Sequence, residues 1–576
     1  MKKLINEPSA VLQEFLEGFV SVSPGLRLLP NRRVVVRSDF TDEISDREVA
    51  LISGGGSGHE PAHAGYVGAG MLSAAVAGDV FTSPSVDVIL EGIRAVTGRA
   101  GAVLIVKNYT GDRLNFGLAA EIARAEGLAV EMVLVGDDVA LAAASGSGGP
   151  GRRGIAGTVF IHKIAGASAA EGEPLSTVVD DINAATESLG TMGVALSPCT
   201  VPAAGQPSFT LGENEIELGL GIHGEEGIRR APIEHVDNLV DQLVTKIVED
   251  RGLKAGDKIA LLVNNLGGTT TMELNIAARS ALQALADRNI VVQRAYVGTF
   301  LTALEMGGCS ISIMRLNERR LKHLDRDVLA PAWPRLPVPD RPISLDKVWL
   351  DAGVRETTGA TPATPTRVST DTGRALSTAI RRAAQALLGA ESHLTELDRV
   401  VGDGDLGISL ARGAQALERD LPNYDLDNPA STLRAISQSL REALGGSSGP
   451  LYAVLFLRAA KELENREKNE SPAAQWARAF LAGCQGMTDL GGAKKGDRTM
   501  MDAIWPAAET FAASVKAGES VDQAWAKAIS AAKEGAQATR QMAPRRGRSS
   551  YLGQRVLGHA DPGAVAVGIW LEALRG

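Results

Sequence analysis

The chain has 576 residues, of which 44% are hydrophobic and 22% are charged, and its formal net charge is −9. At about 150 residues per domain this length allows several domains, and the composition excludes a disordered chain. Glycine is frequent, at 64 residues, whereas aromatic residues make up only 4%. The acidic balance and the few aromatics argue against a protein that binds the nucleic-acid backbone or stacks on bases, but not against one that binds small phosphate ligands.

Three cysteines, Cys199, Cys309 and Cys484, lie far apart in the chain and do not have zinc-ligand spacing. A sparse, odd set is typical of a reducing compartment, and we interpret each cysteine as a small apolar packing residue. The N-terminal segment has no apolar signal region, and no stretch approaches the ~18 apolar residues that cross a membrane. The sequence therefore predicts a cytoplasmic protein.

Short β-branched runs alternate with helical stretches up to about residue 330. This pattern predicts an α/β fold with mainly parallel sheets, in two lobes that divide near residue 190. In the predicted helix at 113–126, we expect Leu114, Leu118, Ile122 and Ala125 to share the buried face. The predicted strands lie at 49–52, 102–106, 129–135, 259–263, 290–297 and 310–314, with a further helix at 271–285.

A composition shift follows the α/β half. Prolines cluster between Pro331 and Pro342, and a run rich in Thr, Ala and Pro covers 357–372, so we predict an extended linker over residues 336–372. We therefore expect an α/β domain over residues 1–335 and an all-helical domain over 373–576. The predicted helices of the second domain lie at 375–388, 431–444, 452–464, 473–484, 500–515, 521–542 and 564–574.

Glycines dominate residues 53–58, directly after the first predicted strand, and His59 follows them. Open α/β sheets bind ligands at the carboxyl ends of their strands, so this segment is predicted to be a ligand-approach loop with His59 as a candidate base. A tight turn and a structural histidine are the alternatives. The next strand ends in Lys107–Asp112, which we expect at the same crevice, although Asp112 also suits the N-cap of the following helix.

Residues 215–223 alternate between apolar and other side chains, which predicts a strand. Gly219 and Gly221 share a face with His223 in this pattern, so that face has room for a ligand beside the imidazole. A neutral imidazole can act as a nucleophile toward a carbonyl or as a base. A packed structural histidine is the alternative.

Three carboxylates, Asp398, Asp403 and Asp405, surround two glycines in the helical half. They repel one another unless a cation lies among them, and their hard oxygen ligands suit Mg²⁺ together with phosphate oxygens and waters. Gly407 occupies the third ligand position and so excludes an EF-hand. A solvated loop is the alternative.

Two further Gly-rich segments, 445–449 and 491–500, are interpreted as anion-binding loops at helix N-termini, with a plain capping turn as the alternative. The first matches G-x-S-x-G but follows a helix rather than a strand, and in the second Asp497 stands where a P-loop has lysine.

A basic stretch at 545–555 leads to 558–563 before the last helix. The G-x-G-x-x-G match at 146–151 follows a helical stretch and contains Pro150, so we interpret it as a mobile loop rather than a dinucleotide site.

Taken together, these motifs resemble the single-chain form of the ATP-dependent dihydroxyacetone (glycerone) kinase family. The segments GGGSGHEP at 54–61, KNYTGD at 107–112, 199–225 and NNLGG at 264–268 resemble its ketose-binding K domain. The segments LDRVVGDGDLG at 397–407, GGSSG at 445–449, GGAKKGDRTM at 491–500 and SYLGQRVLGHADPG at 550–563 resemble its ATP-binding L domain, which is a barrel of helices.

The resemblance implies that His223 holds the substrate covalently as a hemiaminal, which selects short ketoses and aldehydes over glycerol. His59 and Asp112 would assist proton transfer. The hydroxyls of the substrate would be bound by Gly55, Gly56, Lys107 and Asp112.

For the second domain, the resemblance implies that Asp398, Asp403 and Asp405 hold two Mg²⁺ ions on the phosphates of ATP. Arg555 would stabilise charge on the transferring group, and the enzymes are dimers in which one chain's L domain can serve the other chain's K domain. Leu406 departs from the family pattern because its side chain cannot bind phosphate. The nucleotide would be surrounded by Leu406, Gly407, Ser409, Ser447, Ser448, Gly491, Thr499, Met500, Arg555, Asp561, Pro562 and Gly563.

Three other functions stay open at this point. The chain could phosphorylate erythrulose or another tetrulose, it could cleave FAD to a cyclic nucleotide, or it could act as a non-enzymatic module that senses ketoses.

Overall fold

The structure is a computed structural model that describes residues 2–30, 33–141, 151–207, 209–223, 227–345, 368–465, 470–545, 554 and 556–575. The chain divides into two compact units, residues 1–351 and 352–576, each with its own hydrophobic core. The predicted linker lies partly outside the described residues, so its limits at 336 and 372 stay predictions. Within its described part, the Ile343 N–H donates to Val292 O (2.8 Å) in the first unit.

The first unit contains both strands and helices. Its strands are β1 Leu26–Leu28, β2 Val34–Arg37, β3 Ala50–Ser57, β4 Ala74–Val80, β5 Ala102–Lys107, β6 Val130–Val135, β7 Leu189–Ala195, β8 Glu215–Leu218, β9 Arg229–Pro232, β10 Lys258–Asn265, β11 Val291–Gly298 and β12 Gly308–Arg315. Its helices are α1 Val11–Ser21, α2 Asp42–Ser45, α3 Val86–Val96, α4 Thr110–Ala125, α5 Thr158–Ala170, α6 Leu175–Glu187, α7 Val236–Arg251, α8 Thr271–Asp287 and α9 Glu318–Asp325.

These strands form two six-stranded sheets. The first has the order β1-β2-β4-β3-β5-β6, and its pairs from β4 to β6 are parallel. The second has the order β11-β10-β12-β7-β8-β9 and begins at Leu189, so the predicted division near residue 190 is confirmed.

The expectation of mainly parallel sheets is wrong for the second sheet, in which β10 and β11 are the parallel pair and the other neighbours are antiparallel. A parallel pair needs a crossover, usually a helix, and α8 supplies it between β10 and β11. Residues 299–307 are all described and contain no helix, so β12 returns antiparallel.

The two sheets share a central core. In β10, Ala260 and Leu262 face this core, whereas Ile259, Leu261 and Val263 face a second cluster with α7 and α8. This alternation follows the two-residue period of a strand. Helix α5 is buried throughout from residue 158 to residue 169 and contributes to the core that both sheets share.

The predicted face of α4 is wrong. Leu114 and Leu118 are 67% and 53% exposed, whereas Phe116 and Ala120 are buried. The reason is a close approach between α4 and β3: a Cβ built on Gly54 would lie 3.1 Å from the Phe116 ring. The Phe116 ring fills the space over Gly54 between α4 and β3, and Leu114 and Leu118 therefore lie on the solvent-facing side of α4.

The second unit is all-helical in its described residues, as predicted. Its helices are α10 Asp371–Gly389, α11 Glu391–Val401, α12 Leu406–Asp420, α13 Pro429–Ala443, α14 Ser448–Glu464, α15 Pro472–Gly491, α16 Met501–Lys516, α17 Val521–Ala538 and α18 Pro562–Ala573. Two of them, α11 and α12, flank the predicted metal loop and were not predicted.

Eight of these helices form a closed ring. The sequence neighbours from α12 to α18 pack in order, α18 packs on α10, and α10 packs on α12. The ring confirms the predicted helical barrel and surrounds an apolar cavity of about 540 Å³. In the described part of the chain, none of the helices is both long and apolar enough to cross a membrane.

Candidate active site

The glycines of segment 53–58 lie mostly within a strand rather than in a loop, because β3 continues through Ser57. Backbone packing explains them: an added Cβ would lie 2.2 Å from Val76 O at Gly54 and 2.5 Å from Thr82 N at Gly56. At Gly55, whose φ is +151°, it would lie 2.7 Å from Lys107 Nζ and 3.4 Å from Asp112 Oδ2. Glycine at position 55 therefore leaves room for the Lys107 ammonium beside the Asp112 carboxylate.

Lys107 is the last residue of β5, and its side chain is fully buried. Its ammonium donates to Gly54 O (3.3 Å) and to His63 Nε2 (2.6 Å). Burial lowers the pKa of Lys107, and the negative charges of Asp112 and Asp137 act in the opposite direction. The C-terminal end of β5 thus presents a buried ammonium among hydrogen-bond acceptors.

Asp112 lies in the first turn of α4, where Tyr109 holds the N-cap position. The N-cap interpretation of Asp112 is therefore wrong by three residues. The Ser83 hydroxyl donates to Asp112 Oδ1, and a carboxylate in the first helical turn is also stabilised by the helix dipole. Asp112 is buried and faces Gly55 with its second oxygen.

His59 is buried, and its Nδ1–H donates to Thr302 O (2.8 Å), because a carbonyl oxygen accepts only. Its Nε2 is buried and has no hydrogen-bond partner among the described residues. Burial holds the pKa of His59 well below its usual range, and the charges of His223 and Lys107 lower it further. His59 is therefore neutral, with a free lone pair on Nε2 that can accept a proton.

The His223 ring lies edge-on to three other rings. Its centroid is 4.5 Å from that of Tyr109, 4.9 Å from that of His59 and 5.4 Å from that of Phe81. The structure thus brings together side chains from the segments 54–59, 107–112 and 223, as the sequence predicted.

The predicted strand at 215–223 ends earlier, at Leu218. Gly219 has a φ of +66°, a left-handed conformation that favours glycine and turns the chain out of the strand. The expected alternation of faces therefore does not reach His223. The imidazole nevertheless lies beside the segments 54–59 and 107–112, as expected for one shared site. Residues 224–226 lie outside the described residues.

The predicted metal ligands of the second unit are also close together. Asp398 is buried on α11, while Asp403 and Asp405 are exposed in the turn before α12. One carboxylate oxygen from each residue lies within 4.8 Å of the other two. Asp398 Oδ2 accepts the N–H groups of Asp405 (3.0 Å) and Leu406 (3.1 Å). An added Cβ on Gly402 would lie 2.4 Å from Asp398 Oδ1, so glycine leaves that oxygen uncovered.

This donor set fits Mg²⁺. An octahedral Mg²⁺ ion has ligands at about 2.1 Å, so its ligand atoms are at most ~4.2 Å apart. The three carboxylates need only a small movement to reach that spacing.

A cavity of about 530 Å³ adjoins the carboxylates. The structure does not bring Gly407 to this cavity: an added Cβ there would lie 2.2 Å from Glu391 O, so Gly407 allows α11 and α12 to pack. Arg555 lies outside the described residues. The predicted residues that line the cavity are Asp398, Asp403, Asp405, Leu406, Ser409, Ser447, Ser448, Gly491, Thr499, Met500, Asp561, Pro562 and Gly563.

Two residues of this cavity region were missed. Arg498 is fully buried, and its Nη2 donates to His559 O (2.9 Å). Asp502 accepts the Thr499 N–H (2.9 Å). Burial raises the pKa of Asp561 to about 6, and the nearby Arg498 opposes that rise. The basic residue inside the segment GDRTM marked Arg498 as a candidate, but its burial depends on carbonyl oxygens 58 and 61 residues away.

Comparisons with known proteins identify the family. A protein-family model described as the Dak1 domain matches residues 17–332, and one described as the DAK2 domain matches residues 400–576. The solved structure of a dihydroxyacetone kinase from Citrobacter freundii, in complex with AMP-PNP and Mg²⁺, is 35% identical, covers 100% of this chain and 99% of that chain, and has a TM-score of 0.63. The chain belongs to the dihydroxyacetone kinase family.

Relatives of the dihydroxyacetone kinase family match over the full length. A tomato (Solanum lycopersicum) protein named putative 3,4-dihydroxy-2-butanone kinase is 44% identical over 99% of this chain and 97% of that protein. A rat (Rattus norvegicus) protein named triokinase/FMN cyclase is 42% identical over 100% of this chain and 98% of that protein. The family assignment therefore covers both units of the chain.

We expect the substitution Asp398→Asn to weaken Mg²⁺ binding at least tenfold. It removes one negative charge from the three-carboxylate cluster and leaves the oxygen that accepts two backbone N–H groups. The measurement is calorimetric titration with Mg²⁺. Asp522→Asn, an exposed carboxylate of α17 outside the cluster, is the matched control. Equal Mg²⁺ affinity in both variants would exclude Asp398 as a ligand.

Proposed function

We propose that the chain transfers the terminal phosphoryl group of ATP to dihydroxyacetone or another short ketose, which is held covalently on His223. The observation that carries this proposal is the meeting of His223, His59, Lys107 and Asp112 from three separate segments. Such a set can capture a carbonyl, orient hydroxyls and accept a proton, all of which the transfer needs. Membership of the dihydroxyacetone kinase family supports the same function.

His223 performs the capture step. One ring nitrogen adds to the ketone carbon, a C–N bond forms, and the C=O π bond opens. The carbonyl oxygen takes up the proton that the imidazole gives up, so the product is a neutral hemiaminal. Because glycerol has no carbonyl group, it cannot undergo this step, which explains selection of ketoses over polyols.

Lys107 and Asp112 orient the captured substrate. The ammonium donates to a substrate hydroxyl, and the carboxylate accepts from one, beside the backbone of Gly55 and Gly56. His59 Nε2 or Asp112 then takes the proton of the hydroxyl that attacks the γ-phosphorus, and ADP leaves. Fixing the acceptor in this way replaces a bimolecular encounter by a positioned attack.

Asp398, Asp403 and Asp405 would hold two Mg²⁺ ions, which neutralise phosphate charge in this reaction class. Ser447 and Ser448 stand at the N-terminus of α14, where free N–H groups and the helix dipole favour an anion. The Leu406 N–H already donates to Asp398, so Ser409 rather than Leu406 is the phosphate donor of this turn. The remaining nucleotide contacts are assigned to Gly491, Thr499, Met500, Arg555, Asp561, Pro562 and Gly563.

An assay with a substrate panel tests this function. With Mg-ATP we expect phosphorylation of dihydroxyacetone, glyceraldehyde or an erythrulose enantiomer, and none of glycerol. His223→Ala should lower kcat/KM for the ketose by ~100-fold or more, because covalent capture is lost. His235→Ala, an exposed histidine at the start of α7, is the control.

Normal turnover by His223→Ala would contradict the covalent role. If ATP is not consumed but ADP copurifies with the protein, the ketose-sensing function is favoured instead. The relative named as a 3,4-dihydroxy-2-butanone kinase supports including four-carbon ketoses in the panel.

A second activity, cleavage of FAD to a cyclic nucleotide, is favoured by the likeness to a protein named triokinase/FMN cyclase. This reaction would use the nucleotide cavity without the ketose site. With FAD and Mn²⁺ we therefore expect a cyclic flavin product that Asp398→Asn abolishes and His223→Ala leaves at its normal rate. Loss in both variants would contradict an origin in the nucleotide cavity alone.

We also propose that the protein is a homodimer in which the nucleotide unit of one chain serves the ketose unit of the other. Differently tagged His223→Ala and Asp398→Asn chains can be coexpressed and the mixed dimers purified. Transfer between chains predicts about half of the wild-type activity, because one intact site pair remains. Inactive mixed dimers would show that transfer occurs within a chain.

A further inference from the structure

Two buried histidines lie beneath the ketose site and have no part in the mechanism above. We propose that His63 and His162 form a positioning relay that holds the Lys107 ammonium in one orientation, with an N–H directed to the ketose. The proposal rests on the proposed role of Lys107 in binding that substrate. His63 and His162 are positioning residues, because they act through Lys107 and do not touch the substrate.

The contacts allow one arrangement of protons. An ammonium only donates, so His63 Nε2, at 2.6 Å from Lys107 Nζ, must be the acceptor. His63 Nδ1 then carries the hydrogen and donates to His162 Nε2 (3.0 Å). The Ser53 hydroxyl, which is 3.3 Å from the same Nδ1, gives its own proton to Ile105 O (2.7 Å) and can therefore only accept from His63.

The Lys107 ammonium therefore fixes the tautomer of His63, and His63 in turn fixes the tautomer of His162. The opposite tautomer of His63 would point an N–H at the ammonium of Lys107 and leave His162 Nε2 without a donor. Burial keeps both imidazoles neutral: the pKa of His63 lies well below its usual range and that of His162 falls to about 3. The charge of Lys107 lowers both values further.

The three hydrogens of the ammonium can now be assigned. One is directed to Gly54 O and one to His63 Nε2. The third is left for the side where Gly55 lacks a side chain and where Asp112 Oδ2 lies. Because the other two hydrogens are engaged, this third one is the donor that the relay leaves for a substrate hydroxyl.

Space filling alone does not explain these residues. His162 is fully buried and His63 nearly so, and an apolar side chain of similar volume would fill the same space without the cost of burying polar nitrogens. The Nδ1 of His162 is buried and has no hydrogen-bond partner among the described residues, which adds to that cost. A role toward Lys107 accounts for both histidines.

The test compares three variants of the full chain. His63→Leu removes the acceptor, His63→Gln places an amide oxygen near the position of Nε2, and His323→Leu is the control because His323 is a buried histidine of the same unit outside the site. We expect KM for dihydroxyacetone to rise 10- to 100-fold in His63→Leu, the range for a lost hydrogen bond to a charged group. His63→Gln should remain within about threefold of wild type, and KM for ATP should not change.

The pH profile separates positioning from packing. Without its acceptor the buried ammonium is less stable, so the pKa of Lys107 falls. Because the protonated form binds substrate, the alkaline limb of kcat/KM should move to lower pH in His63→Leu and stay in place in His63→Gln and His323→Leu. The ionisable groups that face Lys107 are His59, His63, His162, Asp112 and Asp137.

His162→Leu is the second test. The substituted residue lies on helix α5, and the variant leaves His63 in place. Loss of the second acceptor should give a shift of the alkaline limb in the same direction but smaller, since Ser53 still accepts from His63. An unchanged alkaline limb in folded His63→Leu, or an equal loss in His323→Leu, would overturn the relay. If the wild-type chain phosphorylates none of the ketoses, the proposed function itself fails, which is a separate result.

Discussion

A fully buried ammonium constrains the architecture of the first unit. An isolated buried charge is costly, so Lys107 must be surrounded by acceptors and by opposite charge. The carbonyl of Gly54, the ring of His63 and the carboxylate of Asp112 meet this need from three different elements. The bare backbone at Gly55 leaves space for the ammonium itself. The glycines of β3, the start of α4 and the end of β5 thus act together to stabilise the Lys107 ammonium.

The second unit has the opposite electrostatic problem. Asp398, Asp403 and Asp405 repel one another, and Asp561 adds a half-buried carboxyl whose pKa desolvation raises to about 6. Backbone N–H groups bind one oxygen of Asp398, and Arg498 opposes the accumulated charge beside Asp561. The Mg²⁺ ions proposed above would complete the balance. The first unit thus stabilises a buried positive charge, and the second stabilises a cluster of negative charges.

Most of the architecture could be predicted from local patterns in the sequence. Most of the predicted strands and helices lie within four residues of the observed limits, and the second sheet begins at Leu189, close to the predicted division. The exceptions are β3, β8 and α15, whose C-terminal ends are five to seven residues from the predicted ones. The errors came from tertiary packing. The exposed leucines of α4 were predicted to be buried, because periodicity does not reveal that Phe116 packs over Gly54. In the second sheet, β12 runs antiparallel to β10 because residues 299–307 contain no crossover helix.

The structure brings together those predicted site residues that lie in compact motifs. His63 was missed because its partners Lys107 and His162 are 44 and 99 residues away in sequence, and a single sequence carries no signal for such a contact. Arg498 was missed because nothing local distinguishes a buried guanidinium from a solvated one. The departure at Leu406 was noticed from the sequence, but the use of its N–H by Asp398 is visible only in the structure.

Closure of the helical ring has a consequence for the order in which the second unit forms. Helix α18 packs on α10, so the contact that closes the ring joins its most distant elements in sequence. Domains emerge from the ribosome from their N-terminal end, and distant contacts form late. Until α18 is synthesised, α10 to α17 have an open edge, and the cavity lacks the wall that residues 561–563 supply. Nucleotide binding in this cavity, as proposed above, therefore requires a completed ring.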